Sequence, residues 1–352
     1  IDPNLIEDVV MGLSNSWHAA YNPSRWAVLK AGLPYSLPGV TVERQCSSGL
    51  QAINFAATQI MAGLGDIYIA GGMESWSSTP WMLPRADAAY SLTPPQIIRR
   101  ETAPNPEDSL VMGITAENLA KLYNISREKQ DAFSFRSQQK AIRAIKTGYF
   151  KEEIIPITVP QKKGQIIFDT DEHPRETTME KLAALPPAFL KDGTVTAGSS
   201  SGRNDAAAAV LVMTMDKARE LGYTPQVRWV TCAVAGVDPK IMGIGPAYAM
   251  PKALKRAGLK MKDMDVIEIN EAFAAQVLAD IKELEAQGHQ VDPDKVNPNG
   301  GAIAFGHPNG MSGTRIAIFA MNELKRRGGK YAICSLCIGG GQGLATIFER
   351  LS

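Results

Sequence analysis

Val40-Thr41-Val42-Glu43-Arg44-Gln45-Cys46-Ser47-Ser48-Gly49-Leu50 passes from a short extended stretch, through a cysteine flanked by small residues, into a segment rich in Ala, Gln and Ile. That segment predicts a helix over 49–62. A cysteine at a strand-to-helix turn lies where the first free backbone N–H groups and the helix dipole favour a thiolate. Ser47, Ser48 and Gly49 leave room for a substrate to approach the sulfur. A buried structural cysteine is the other reading, since free Cys is among the most buried residue types.

Working outward, residues 1–12 read as a helix end followed by a strand, with Ile6-Glu7-Asp8-Val9-Val10-Met11 as the apolar run before Gly12. A helix follows over 22–33, stopping at Gly32, and a short strand over 67–70 is closed by Gly71-Gly72. The order is that of a parallel α/β unit. From 76 to 203 proline and charge rise and strands become sparse. Helices are expected there over 115–123 and 126–146, the second capped by Ser126 with apolar spacing at Ala132, Phe133, Phe135, Ala141 and Ile145. A small hairpin is expected from 154–159 and 165–168. This stretch reads as an insertion in an α/β core, to which an apolar strand over 206–215 returns.

The last part repeats the first. Met264-Asp265-Val266-Ile267-Glu268-Ile269-Asn270 resembles Ile6-Glu7-Asp8-Val9-Val10-Met11-Gly12. Ser312-Gly313, with a helix over 314–327 and a strand over 331–336, resembles Ser48-Gly49 with its helix and strand. Gly49 to Gly71 spans 22 positions and Gly313 to Gly339 spans 26, so two α/β halves of similar order are expected. The second half adds a strand near 226–234 and a helix over 246–257 that the first lacks. Such a pair occupies roughly 30–40 residues, which are expected to stand ahead of Ile1 together with any targeting signal.

Composition narrows the function classes. The 352 residues are 45% hydrophobic and 21% charged, an ordinary globular balance. A formal charge of +1 recommends neither nucleic acid nor a membrane surface as partner. No apolar run is long enough for membrane insertion. The four cysteines, Cys46, Cys232, Cys334 and Cys337, do not form a secreted disulfide pattern and point to a reducing compartment.

Three further stretches carry chemistry. Asn270-Glu271-Ala272-Phe273-Ala274-Ala275-Gln276 puts polar groups at the end of an apolar strand, where open α/β sheets hold ligands; a plain Asn cap is the alternative. The glycine-rich run from Asn299 to Gly313 carries His307 at its middle and reads as a shaped loop that lets the backbone approach a ligand. In Cys334-Ser335-Leu336-Cys337-Ile338-Gly339-Gly340-Gly341 the Cys-x-x-Cys spacing suggests metal or redox chemistry. No second Cys or His pair has suitable spacing to complete a zinc site, so no metal is expected.

Six motifs together resemble the thiolase family over essentially the whole chain. They are Cys46-Ser47-Ser48-Gly49, Gly71-Gly72-Met73-Glu74-Ser75, Met112-Gly113-Ile114-Thr115-Ala116-Glu117-Asn118, Asn270-Glu271-Ala272-Phe273, Gly306-His307-Pro308 with Ser312-Gly313, and Cys337-Ile338-Gly339-Gly340-Gly341. The resemblance implies an α/β fold of two duplicated βαβαβαββ halves in five αβαβα layers with an inserted loop domain. The first half would be 1–75, completed by 204–216; the CoA-binding loop domain would be 76–203 and the second half 217–352.

It further implies reversible CoA-dependent cleavage of 3-ketoacyl-CoA, or the reverse Claisen condensation of acetyl-CoA, as in β-oxidation and fatty acid metabolism. Cys46 would be the nucleophile that carries the acyl group. His307 would take its proton, the pair making thiolate available near neutral pH, and Cys337 would move a proton at the acetyl carbon or the CoA sulfur. Asn270 would hold a water that forms one oxyanion hole with His307, and the N–H groups of Cys46 and Gly339 would form the other. Ser201 would bond the pantetheine arm, and Met112, Met242 and Phe273 would wall the pocket or simply pack the core. Coenzyme A enters as substrate, with no tightly bound cofactor. A homodimer or homotetramer is implied, in the cytoplasm, or in mitochondria or peroxisomes for a eukaryotic chain.

Val111 stands where many short-chain acetoacetyl-CoA thiolases have His, and Ser199 and Ala206 replace the usual Asn and Gly around the serine turn. The less polar Val111 favours a broader 3-ketoacyl-CoA thiolase over a strict acetoacetyl-CoA enzyme. Two other classes compete. A non-catalytic thiolase-like protein that binds acyl-CoA or lipid should lack one of the reactive residues, all of which are present. A decarboxylating ketoacyl synthase usually has a second His at the position of Asn270 and lacks a Cys at that of Cys337.

Overall fold

The computed structural model describes residues 1–15, 20–86, 88–90, 93–98 and 100–351. The chain opens with β1 (Asp8–Gly12), α1 (Pro23–Lys30), β2 (Val40–Val42), α2 (Ser48–Met61) and β3 (Ile67–Glu74). Then come α3 (Met112–Leu122), α4 (Arg127–Lys146), the hairpin β4 (Ile157–Pro160) and β5 (Gln165–Phe168), and α5 (Met179–Ala183). β6 (Ala206–Met213), α6 (Met215–Glu220), β7 (Val227–Gly236), α7 (Gly245–Ala257), β8 (Val266–Ile269) and α8 (Ala274–Ala286) follow. The chain closes with α9 (Ala302–Phe305), α10 (Asn309–Arg327), β9 (Tyr331–Ile338) and β10 (Gln342–Arg350).

Two four-stranded sheets have the orders β2-β1-β3-β6 and β7-β10-β9-β8. β1 lies parallel to β3 and β6 runs antiparallel to β3; likewise β8 lies parallel to β9 and β10 runs antiparallel to β9. The repeat is thus a structural one, pairing β1, β3 and β6 with β8, β9 and β10. β7 pairs antiparallel with β10, and among the described residues nothing takes the corresponding edge of β6.

Apolar side chains explain the layering. Leu50, Ile53 and Ala56 of α2 and Ile316, Ala317 and Ala320 of α10 meet Tyr68 and Ala70 of β3 and Cys334, Leu336 and Ile338 of β9 in one buried cluster. The two helices therefore lie between the sheets. α1 covers the outer face of the first sheet through Val28 against Val9 and Met11. α7 and α8 cover the outer face of the second through Met250, Leu254 and Val277 against Ile333 and Ile347. This is the helix–sheet–helix–sheet–helix arrangement.

Two expectations are corrected in part. α4 buries Ala141 and packs Phe133 and Ile145 on the core as its spacing predicts, but Ala132 is exposed and the buried face also carries Gln130, Asp131, Ser134, Ser137 and Gln138. The helix packs on the polar backbone around residues 297–304, which needs partners. Ser137 accepts from Gly301 N at 3.1 Å, and Gln138 donates to Ile303 O at 3.2 Å. Ser126 does cap this helix, accepting from Lys129 N.

The run from 299 to 313 is not all loop, because α10 begins at Asn309 rather than 314. Its glycines serve close packing. A Cβ on Gly310 would sit 2.4 Å from Met73 O, and one on Gly313 would sit 2.5 Å from Leu50 N.

β3 meets α10 the same way, since a Cβ on Gly72 would lie 2.1 Å from Gly310 O. Gly72→Ala is expected to lower stability by about 1–3 kcal/mol, the usual range for overpacking, read from the midpoint of urea unfolding. An unchanged midpoint would mean that the helix can withdraw from the strand without loss.

Candidate active site

Cys46 sits in a single tight turn, Gln45–Ser47, directly ahead of α2. Gln45 takes a left-handed φ of 46°, a strained conformation for a residue with a side chain. Ser48 pins the turn, accepting from Arg44 N at 2.8 Å and donating to Gln45 O at 2.7 Å. The backbone N–H groups of Gly339 and of Cys46 itself bond to the sulfur, as does Asn309 Nδ2 at 3.2 Å.

His307 is buried on the loop between α9 and α10, and its hydrogen bonds define its tautomer. Ser312 Oγ donates to Pro308 O at 3.1 Å, so it accepts from His307 Nδ1–H at 2.6 Å. Nε2 is then the basic nitrogen, and Asn270 Nδ2, at the end of β8, donates to it at 3.4 Å. Asn270 Oδ1 is buried with no hydrogen bond among the described residues. His307 N donates to Gly202 O at 2.9 Å, and Arg315 Nη1 holds Gly306 O at 2.9 Å.

Cys337 is the last but one residue of β9, and Gly339 opens the turn that follows. Alternation along the strand sends Cys334 and Cys337 to opposite faces. Cys334 Sγ donates to Ile316 O of α10 at 3.5 Å, whereas Cys337 joins the outer cluster. The Cys-x-x-Cys spacing therefore does not make a chelating or disulfide-forming pair. Cys46 and Cys337 are close enough for negative charge on one to push up the pKa of the other.

Cys46, His307, Asn270, Cys337 and Gly339 thus converge from both halves. Met242, Phe273 and Cys337 belong to one apolar cluster, with Met112 packed against it. Phe273 also meets the Phe189 ring edge-on at 6.0 Å. Ser201 is tied to this region by its backbone, whose N–H donates to Ala272 O at 3.0 Å. Three contributors were not singled out from sequence: Glu74, Trp76 and Asn309. Glu74 stands in a glycine motif that marks a strand end, but its partners are set by the fold.

Burial dominates the electrostatics. It pushes the Cys46 thiol up to about 11, against the hydrogen bonds from Asn309, Gly339 and its own N–H, while Glu74 raises it further. Burial and then the Arg315 charge hold His307 down to about 3. Cys337 lies well above an ordinary thiol, again through burial first. Burial therefore favours a neutral thiol and a neutral imidazole in the free site.

A pH effect on stability follows. Folded His307 stays neutral down to about 3, whereas in the unfolded chain it protonates below about 6.5. The unfolded state binds the extra proton between those values, so this contribution is complete above 6.5 and is lost as pH falls towards 3. The slope is about 1.4 kcal/mol per pH unit. His307→Asn should remove it, so the parent's stability advantage over the variant shrinks on acidification from about pH 6 to pH 4. Parallel stability curves would contradict the buried neutral histidine.

Comparison with known proteins gives the family. Residues 1–216 match the family described as thiolase, N-terminal domain, and residues 223–350 match thiolase, C-terminal domain. An acetyl-CoA acetyltransferase of Syntrophomonas wolfei is 47% identical over 351 residues, covering 98% of this chain and 88% of that protein. A beta-ketoadipyl-CoA thiolase of Escherichia coli is 46% identical, covering 100% of this chain and 89% of that protein. The crystal structure of human mitochondrial 3-ketoacyl-CoA thiolase in complex with CoA superposes with a TM-score of 0.92 at 42% identity, covering 100% of this chain and 88% of that one. The chain belongs to the thiolase family of acyltransferases.

Proposed function

We propose that this chain is a CoA-dependent 3-ketoacyl-CoA thiolase that works through an acyl thioester on Cys46. One observation carries the reading: a neutral imidazole, its tautomer fixed by Ser312 so that Nε2 is basic, stands in one buried site with two thiols. In thiolysis the Cys46 sulfur attacks the 3-keto carbon and its proton passes to His307 Nε2. The N–H groups of Cys46 and Gly339, both aimed at that sulfur, hold the resulting oxyanion. The bond between C2 and C3 then breaks. Cys337 delivers a proton to the departing acetyl carbon, whose enolate oxygen is held by His307 and by a water on Asn270 Oδ1.

Coenzyme A, deprotonated by Cys337, attacks the acyl thioester and returns the electron pair to the Cys46 sulfur. The same steps reversed give condensation. The thioester itself acidifies the α-carbon, so these residues account for the chemistry with CoA as substrate and without a tightly bound cofactor. Residues 76–203 are assigned as the loop domain that covers CoA, with Ser201 on the pantetheine arm and Met112, Met242 and Phe273 along the acyl path. A homodimer or homotetramer is the assembly the family implies.

The test is thiolysis of acetoacetyl-CoA with free CoA, run beside Cys46→Ala and Cys337→Ala. Cys46→Ala should abolish both turnover and the acylated enzyme. Cys337→Ala should slow turnover by about 10²–10⁴, the usual range for losing an acid–base group. A parent protein that binds acyl-CoA without turning it over would instead favour the acyl-CoA-binding reading.

Val111, 46% exposed at the start of α3, supports a wide acyl specificity over a strict acetoacetyl-CoA enzyme. Turnover on a medium-chain 3-ketoacyl-CoA is expected within about tenfold of that on acetoacetyl-CoA, a gap of about 1.4 kcal/mol in barrier. Activity confined to acetoacetyl-CoA would refute it.

A further inference from the structure

The contact between Asn309 and the nucleophile is not a generic consequence of burial. Asn309 is the first residue of α10, and its Nδ2 lies 3.2 Å from Cys46 Sγ. Its other amide atom lies 3.1 Å from the indole nitrogen of Trp76. An indole N–H can only donate. The Asn309 atom facing it must therefore be the oxygen, which leaves the NH₂ group facing the sulfur. The amide orientation is dictated chemically.

Trp76 is itself held. The Arg203 guanidinium lies 4.9 Å from the centre of its ring. The turn that carries it is tied to Asp205, which accepts from Ser75 Oγ and from Ser77 N, each at 3.0 Å. From Trp76 to the sulfur runs a directed relay: indole N–H to amide oxygen, then amide N–H to Cys46.

We infer that Asn309 is a catalytic residue, donating to the Cys46 sulfur whenever it carries negative charge, and that Trp76 is the positioning residue that keeps the donor aimed. The inference rests on Cys46 being the nucleophile. Negative charge appears on the sulfur twice per turnover. In acylation the S–H bond breaks, the proton goes to His307 Nε2, and the sulfur's electron pair forms the S–C bond. In deacylation the S–C bond breaks and that pair returns to sulfur. A fixed N–H donor lowers both barriers, and hydrogen bonds to charged atoms are the strong ones. Two other titratable groups act on this sulfur, Glu74 from β3 and Cys337 from β9. His307 lies two residues before Asn309. Among the described residues none of these hydrogen-bonds to the sulfur.

The test is the rate at which iodoacetamide alkylates Cys46 at neutral pH. The reaction forms an S–C bond, expels iodide and needs the thiolate, and peptide mass mapping locates the adduct. Asn309→Asp keeps the shape and the oxygen that accepts from Trp76, but replaces the donor with an acceptor. Asn309→Leu removes both contacts. Each should slow alkylation at least about tenfold, the effect of raising the thiol by about one pKa unit.

Trp76→Phe keeps a ring and never touches the sulfur, yet should slow alkylation several-fold. Added to Asn309→Leu it should change nothing further. The same ranking is expected in kcat for thiolysis. Unchanged alkylation in both Asn309 variants would overturn the proposal. So would a Trp76→Phe effect of the same size with and without Asn309. A parent protein whose Cys46 resists alkylation altogether, while another cysteine reacts, would overturn the nucleophile assignment instead.

Discussion

The carboxylate of Glu74 joins the two halves of the site. It sits at the end of β3, 3% exposed, and accepts backbone N–H bonds from Ser14 and Asn15, each at 3.2 Å, and from Gly310 at 2.9 Å. The first two belong to the segment after β1, and the third to the first turn of α10. A helix N-terminus welcomes an anion, so this one buried group fixes where α10 starts relative to the first sheet. His307, Asn309 and Ser312 all take their positions from that start. Burial raises the Glu74 pKa, and its three backbone donors oppose the rise. Removing its partners would leave a buried acid unsatisfied, which is why the contact constrains the loop so firmly.

The same burial makes the reacting groups neutral at rest. Burial pushes the Cys46 thiol up and holds the His307 imidazole down, so both favour their neutral forms. What the site supplies is fixed donors to the Cys46 sulfur: the N–H groups of Gly339 and Cys46, and the amide of Asn309. Such donors need no reorganisation when the charge develops, and they act most strongly where water is excluded. A desolvated site with preset donors also protects a thioester from adventitious hydrolysis.

Much of this was legible in the sequence because period and punctuation carried it. The strand–cysteine–helix stretch, the repeat of β1 as β8 and of β3 as β9, and the Ser126 cap depend on neighbours along the chain. Cys46, His307, Asn270 and Cys337 were named from motifs, and the fold brings them together. What sequence could not convey depends on contacts between distant segments. Glycines at 310 and 313 looked like loop because only the packed partners, Met73 and Leu50, reveal that they are helical by close approach. The Trp76–Asn309 bond joins residues 233 apart and follows no spacing rule. The buried polar face of α4 similarly makes sense only beside the backbone that it satisfies.

Behind the histidine the protein keeps a second buried charge system, and its composition explains how one loop can be both glycine-rich and rigid. Arg315 is 8% exposed and lies over the rings of Phe305 and Phe319. It clamps the carbonyl that precedes His307. Glu271 accepts from Ser137, Asn297 and Ile303, so it fixes the backbone that follows Asn270 as well as the start of α9. Burial raises Glu271 and its neighbour Glu268 and lowers Arg315; the Arg315 charge opposes the rise at Glu268, whereas the Glu271 charge adds to it. Glycine lets the backbone come close to the sulfur and to the substrate, at the cost of conformational entropy. Buried ionic groups bonded to that backbone remove the alternatives. The loop's geometry is thus held by buried side chains that bond its backbone.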